Sequence, residues 1–162
     1  MGNQPSTKYP VSTASDLIDV ALSLDTNAYA QDDVLAATQE VVDALRGAGT
    51  GVLQSVTLID YDDNARAIDL IFLSENVGIG TENAAVSISD GDAANILGVV
   101  QVAAADYIDM VNSQSATKKG SDCGFVLKSA SSSIWVAAVY RDATGDTYTA
   151  SGIDLRIGIL QD

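Results

Sequence analysis

Apolar and polar residues alternate with a period of two along much of the chain. In residues 16–25, Ile18, Val20, Leu22 and Leu24 fall on one face, and Asp19, Ala21 and Ser23 on the other. That is the pattern of a half-buried strand. Residues 153–160 repeat it most cleanly, with Ile153, Leu155, Ile157 and Ile159 set against Asp154, Arg156 and Gly158. Residues 52–60 and 67–73 read as the two strands of a hairpin around the turn residues Asp62, Asp63 and Asn64. Residues 99–103, continuing loosely to Met110, and residues 124–128 predict shorter strands. The unbroken run IWVAAVY at 134–140 predicts a strand covered on both faces.

Two segments depart from this rhythm. Residues 31–47 carry Val34, Ala37, Val41, Ala44 and Leu45 at helical spacing, with Asp32 and Asp33 suited to a helix start and Gly47 to its end. The same stretch also reads as extended, because it contains β-branched residues. Near 89–97 a short helix is expected: Ser89 and Asp92 have capping-box spacing, Ala93, Ala94, Ile96 and Leu97 supply an apolar side, and Gly98 suits the end. Residues 74–83, with glycines at 78 and 80, and residues 111–122, with Lys118 and Lys119, read as loops.

Many short strands separated by turns, without long intervening helices, point to a mainly β protein. The architecture expected is a two-sheet antiparallel β-sandwich, jelly-roll-like in arrangement, with one short helix near 89–97. Residues 1–15, broken by Pro5 and Pro10, read as an N-terminal arm, and 16–162 as a single sandwich domain.

With 162 residues and 47% apolar content, the chain can bury a core without staples. Its 22 acidic against 8 basic residues give a net charge of −14, which disfavours phosphate backbones and anionic membrane surfaces. Neither nucleic acid nor membrane is therefore an expected partner. There is no run of about 18 apolar residues to span a bilayer. No apolar leader opens the chain, so synthesis in the cytoplasm without a cleaved signal is expected.

Candidate chemistry is sparse. The chain has no histidine and a single cysteine, Cys123, whose ordinary reading is a small, partly buried residue. A serine–histidine–aspartate triad and histidine metal sites are excluded, and there is no phosphate-binding glycine loop. Asp60, Asp62, Asp63 and Asn64 offer oxygen ligands for a cation at close spacing, but they do not match a calcium loop and suit a solvated turn. Glycosidase chemistry needs a spaced carboxylate pair, and no pair stands out. Trp135 sits inside an apolar run and reads as core rather than as a sugar platform. No catalytic, cofactor or metal residue is assigned.

The segments AIDLIFLSENVGIGTENAAVSISDGDAANILGVVQV, DYIDM, ATKKG and IWVAAVYRDATGDTYTASGIDLRIGILQD, with ASDLIDVALSLDTNAYAQDDVLAATQEV near the start, resemble the decoration, or cement, proteins encoded beside capsid genes in tailed bacteriophages. The resemblance implies a non-enzymatic, β-rich subunit, commonly a homotrimer, on the outer capsid surface. There it would lock neighbouring copies of the major capsid protein together. It favours strand over helix for residues 31–47. Lys8, Tyr9 and Pro10 in the arm, and Lys118 and Lys119, are then the expected partner contacts. A tail or neck subunit and a carbohydrate-binding β-sandwich are the competing readings.

Overall fold

The computed structural model describes residues 14–161. Ten strands form two antiparallel sheets: β1 (Ala14–Ala21), β2 (Val34–Val41), β3 (Thr50–Asp60), β4 (Ile68–Leu73), β5 (Ile96–Val102), β6 (Ile108–Asp109), β7 (Gln114–Lys119), β8 (Val126–Lys128), β9 (Ile134–Tyr140) and β10 (Ile153–Gln161). The larger sheet runs β1-β10-β3-β7-β6, with β8 also paired to β3, and the smaller runs β2-β9-β4-β5. The fold is thus the expected mainly β, two-sheet arrangement.

Alternation places the core between the sheets. Val56, Leu58, Leu155 and Ile157 of the larger sheet meet Ala36, Leu70, Phe72, Val136 and Ala138 of the smaller in one buried cluster. A second cluster lies on the far side of the smaller sheet. There Val34, Ile71, Leu73, Ala137 and Val139 pack with Ile79, and Val77, Val86, Ile88 and Trp135 close over them. Residues 74–88 therefore form a cover over the outer face of the smaller sheet, tied down where Thr38 Oγ1 donates to the Val77 carbonyl at 2.6 Å. This explains the run at 134–140: successive residues of β9 point alternately into two apolar layers. Trp135 belongs to the cover layer and is only half-buried. Within the cover, Gly80 has φ 129°, a backbone conformation open to glycine, and a Cβ there would stand 3.1 Å from Val34 Cγ2.

Four local expectations are corrected. Residues 52–60 and 67–73 do not form a hairpin, because β3 and β4 belong to different sheets. The 61–67 connection crosses between layers instead. The helix shrinks to one turn, Asp90–Ala93, with no buried residue. Its cap is as expected, with Ser89 Oγ accepting from Asp92 N at 3.1 Å, but Ile96 and Leu97 already open β5. Gly98 lies inside that strand, opposite Phe72. Residues 111–122 are not all loop: β7 occupies 114–119, and only its Ala116 is buried, so it lacks apolar alternation. Ala14 and Ser15, assigned to the arm, are already paired in β1.

The open question at 31–47 resolves as strand over Val34–Val41, with turns on either side. The β2–β9 register shifts between Val34 and Ala36 and again between Ala36 and Gln39. These irregularities leave Val34, Leu35 and Ala36 all buried in succession, which breaks the period of two.

Candidate interaction surface

The two sheets differ in what lies outside them. The smaller carries the 74–88 cover, whereas the outer face of the larger, which no other described residue covers, presents small and polar side chains in cross-strand rows, with Leu17, Ile59 and Ile108 as apolar exceptions. One row reads Ala21, Asp154, Ile59, Ser115 and Ile108 from β1 to β6, and the next reads Asp19, Arg156, Thr57 and Thr117. Arg156 Nε lies 3.3 Å from Asp19 Oδ1, and the hydroxyls of Thr57 and Thr117 share a hydrogen bond of 3.0 Å. Tyr61 donates to Asp154 at 3.0 Å.

Neighbouring residues of a strand face opposite ways, and this separates Lys118 from Lys119. Lys118 shares the parity of buried Ala116. Its ammonium lies 3.0 Å from Asp106 Oδ2 and 3.4 Å from Asp122 Oδ2. The hydrogen bond from Lys118 to Asp106, aided by the nearby charges of Asp106 and Asp122, holds the ammonium above its ordinary pKa. Lys118 is thus occupied by two carboxylates of its own chain. Lys119 sits opposite Ser55 and is exposed with the outer-face residues. Lys8, Tyr9 and Pro10 lie outside the described residues.

Where β5 meets β7, a cleft of about 870 Å³ is lined by Asp69, Gln101, Asp106, Lys118, Asp122 and Arg141, among others. Arg141 bridges Asp32 at 2.6 Å and Asp69 at 2.8 Å, and Gln101 donates to Asp69 at 3.3 Å. The cleft is polar and its charges are mutually paired. No aromatic side chain lines it. Tyr29, Tyr140 and Tyr148 instead pack together in the core, with ring centroids 6.0 and 6.1 Å apart. Burial pushes the Tyr140 phenol up to about 12.

In the acidic turn after β3, Asp60 and Asp62 use their carboxylates internally, while Asp63 is exposed. Asp60 is buried and accepts from the backbone N–H groups of Asp62, Asn64 and Ala65 at 2.9–3.0 Å. Asp62 accepts from the Thr149 N–H at 2.7 Å and lies against its hydroxyl. Cys123 is half-buried. Burial, with Asp122 nearby, pushes its thiol up, away from the depressed pKa of a reactive thiolate.

The sequence reading missed where apolar side chains are exposed. Among the described residues, nine large ones stand out, and six of them, Ile96, Val99, Ile108, Met110, Val111 and Val126, lie on or beside β5, β6 and β8. The stretch IDMV was legible as apolar, but nothing local indicated that its strand would sit at a sheet edge. Compared with known proteins, the chain matches no protein-family model and no curated protein.

Proposed function

We propose that this chain is a structural, non-enzymatic virion protein that binds the outer surface of a phage capsid and stabilises contacts between major capsid protein subunits. The observation that carries the reading is the unequal covering of the sandwich. One sheet is sealed by its own 74–88 segment, while the larger presents a broad face that no other described residue covers, edged by exposed apolar residues. A rigid body with one such broad face suits a protein whose work is adhesion. The charge of −14 suits the outside of a shell rather than a surface facing packaged DNA. The strand order supports a jelly-roll description, since the chain passes repeatedly between the sheets and its last strand returns beside its first. Self-association as a homotrimer belongs to the same proposal, as does the arm carrying Lys8, Tyr9 and Pro10 as a further contact.

The polar cleft beside Arg141 gives some support to a second reading, a carbohydrate-binding module, because carboxylate, amide and guanidinium groups can bond sugar hydroxyls. Its lack of an aromatic platform weighs against it.

The test is the chain's stoichiometry in purified virus particles, measured by mass spectrometry against the major capsid protein. A ratio near one to one is expected. A few copies per hundred shell subunits would move the chain to the tail or neck, and absence from particles would overturn the proposal.

A further inference from the structure

The β6–β7 hairpin holds apolar side chains that the rest of the described residues leave exposed. Ile108 is 65% exposed, Met110 56% and Val111 81%. Ile108 lies opposite Ser115 at the edge of the larger sheet's outer face. The turn is closed by Met110 N donating to the Ser113 carbonyl at 2.8 Å and by Val111 N donating to Asp109 Oδ1 at 2.6 Å. Val111 has φ 79°, a region that β-branched residues avoid and that Asn or Gly occupies readily. Folding alone would favour a small polar residue there. The chain instead holds an apolar side chain at the tip of a hairpin.

From this we infer that the 108–113 hairpin is an insertion element that seats Ile108, Met110 and Val111 in an apolar pocket, rimmed by basic side chains, on a protein other than this chain. Charge selects the occupant. The hairpin carries Asp109 and no base, exposed Asp63 lies beside it with its carbonyl accepting from Gln114 Nε2, and the nearby Lys118 is held by Asp106 and Asp122. Two copies meeting through this tip would oppose acid to acid on chains of charge −14. An anionic lipid surface would be repelled in the same way. A basic rim complements the tip and makes the contact sensitive to salt. The inference rests on the capsid reading, in which the partner is the major capsid protein.

The test uses particles stripped of the chain and then incubated with purified full-length protein. The double variant Met110→Ser/Val111→Asn removes both apolar groups and gives the turn a residue suited to its backbone, so it should fold at least as stably as the parent. Its affinity for particles should fall about tenfold or more, while Val42→Asn, at an exposed apolar position outside the hairpin, should bind like the parent. Parental binding should also weaken as salt is raised. Equal binding by the double variant would overturn the inference while leaving the capsid reading intact. Failure of the parental chain to bind particles at all would overturn the capsid reading and the inference with it. A change in sedimentation between parent and double variant without particles would make a second copy the occupant. Binding of the parent, but not the double variant, to phosphatidylcholine vesicles would make it a membrane. Either result would overturn the proposed partner.

Discussion

The ring of Phe125 lies directly over Gly98: a Cβ at that glycine would stand 2.7 Å from three of the ring atoms. Gly98 belongs to β5 of the smaller sheet, and Phe125 leads into β8 of the larger. Their contact closes one flank of the sandwich, and Phe125 also packs on Phe72 at 5.8 Å. Gly98→Ala should therefore destabilise the fold by about 1–3 kcal/mol through overpacking. In urea unfolding, Phe125→Leu should lessen that loss when combined with Gly98→Ala, a coupling that independent sites would not show.

Asp60 is buried and serves the fold as the acceptor for three backbone N–H groups of the following turn. Burial raises its pKa, against the opposing pull of three backbone N–H groups. A carboxyl whose folded pKa is raised makes the fold lose stability as pH climbs from the ordinary aspartate value through the raised one. Asp60→Asn abolishes that ionisation but points an amide donor at N–H groups that need an acceptor. Unfolding of the variant near neutral pH should show a net loss of about 1–3 kcal/mol. An unchanged midpoint would mean that the 61–65 turn holds its conformation without the carboxylate.

Arg141 joins the start of β2 to β4 by bonding Asp32 and the nearly buried Asp69. Arg141→Met leaves Asp69 with Gln101 as its remaining side-chain donor. It should lower stability by about 1–3 kcal/mol, with the loss partly reversed by adding Asp69→Asn. Chemical denaturation of the two single variants and the double variant measures the coupling directly.

Acid should loosen the flank at Lys118. The Ala103 N–H, then Lys118, hold the Asp106 carboxyl below the ordinary value of 3.8. A depressed carboxylate contributes stability that is fully present above the unfolded value and is lost as pH falls through the folded one. Asp106→Asn should therefore flatten the decline in urea midpoint below about pH 4. A parallel decline in parent and variant would assign the acid sensitivity to other carboxylates.

How far the fold could be read from the sequence depended on whether a residue's partners left a local trace. β1 and β10 announced themselves because each has one wet and one dry face. β9 announced its double burial because both layers demand apolar side chains. In β2 the register shifts placed three buried residues in a row and broke the period of two, so that helical spacing and an extended segment were equally legible there. Nothing near Gln114 marked β7 as a strand, since its pairing with β3 lies far along the chain and its exposed positions are Thr117 and Lys119. Gly98 looked like a helix end because the residue that requires it, Phe125, is remote in sequence. The separation of Lys118 from Lys119 follows from strand parity, and so became legible only once 114–119 was known to be extended.

Ala14 and Gln161 are cross-strand partners, and β1 lies antiparallel along β10 through to Ala21 and Asp154. The two ends of the described chain therefore leave from one corner of the molecule. A pull applied through both ends peels that pair of strands apart one hydrogen bond at a time. A pull in the plane of the larger sheet, along its strands, instead strains many bonds together. Resistance to force is thus expected to be directional, greater for a load along the strands of the larger sheet than for one hung from the two ends of the described chain.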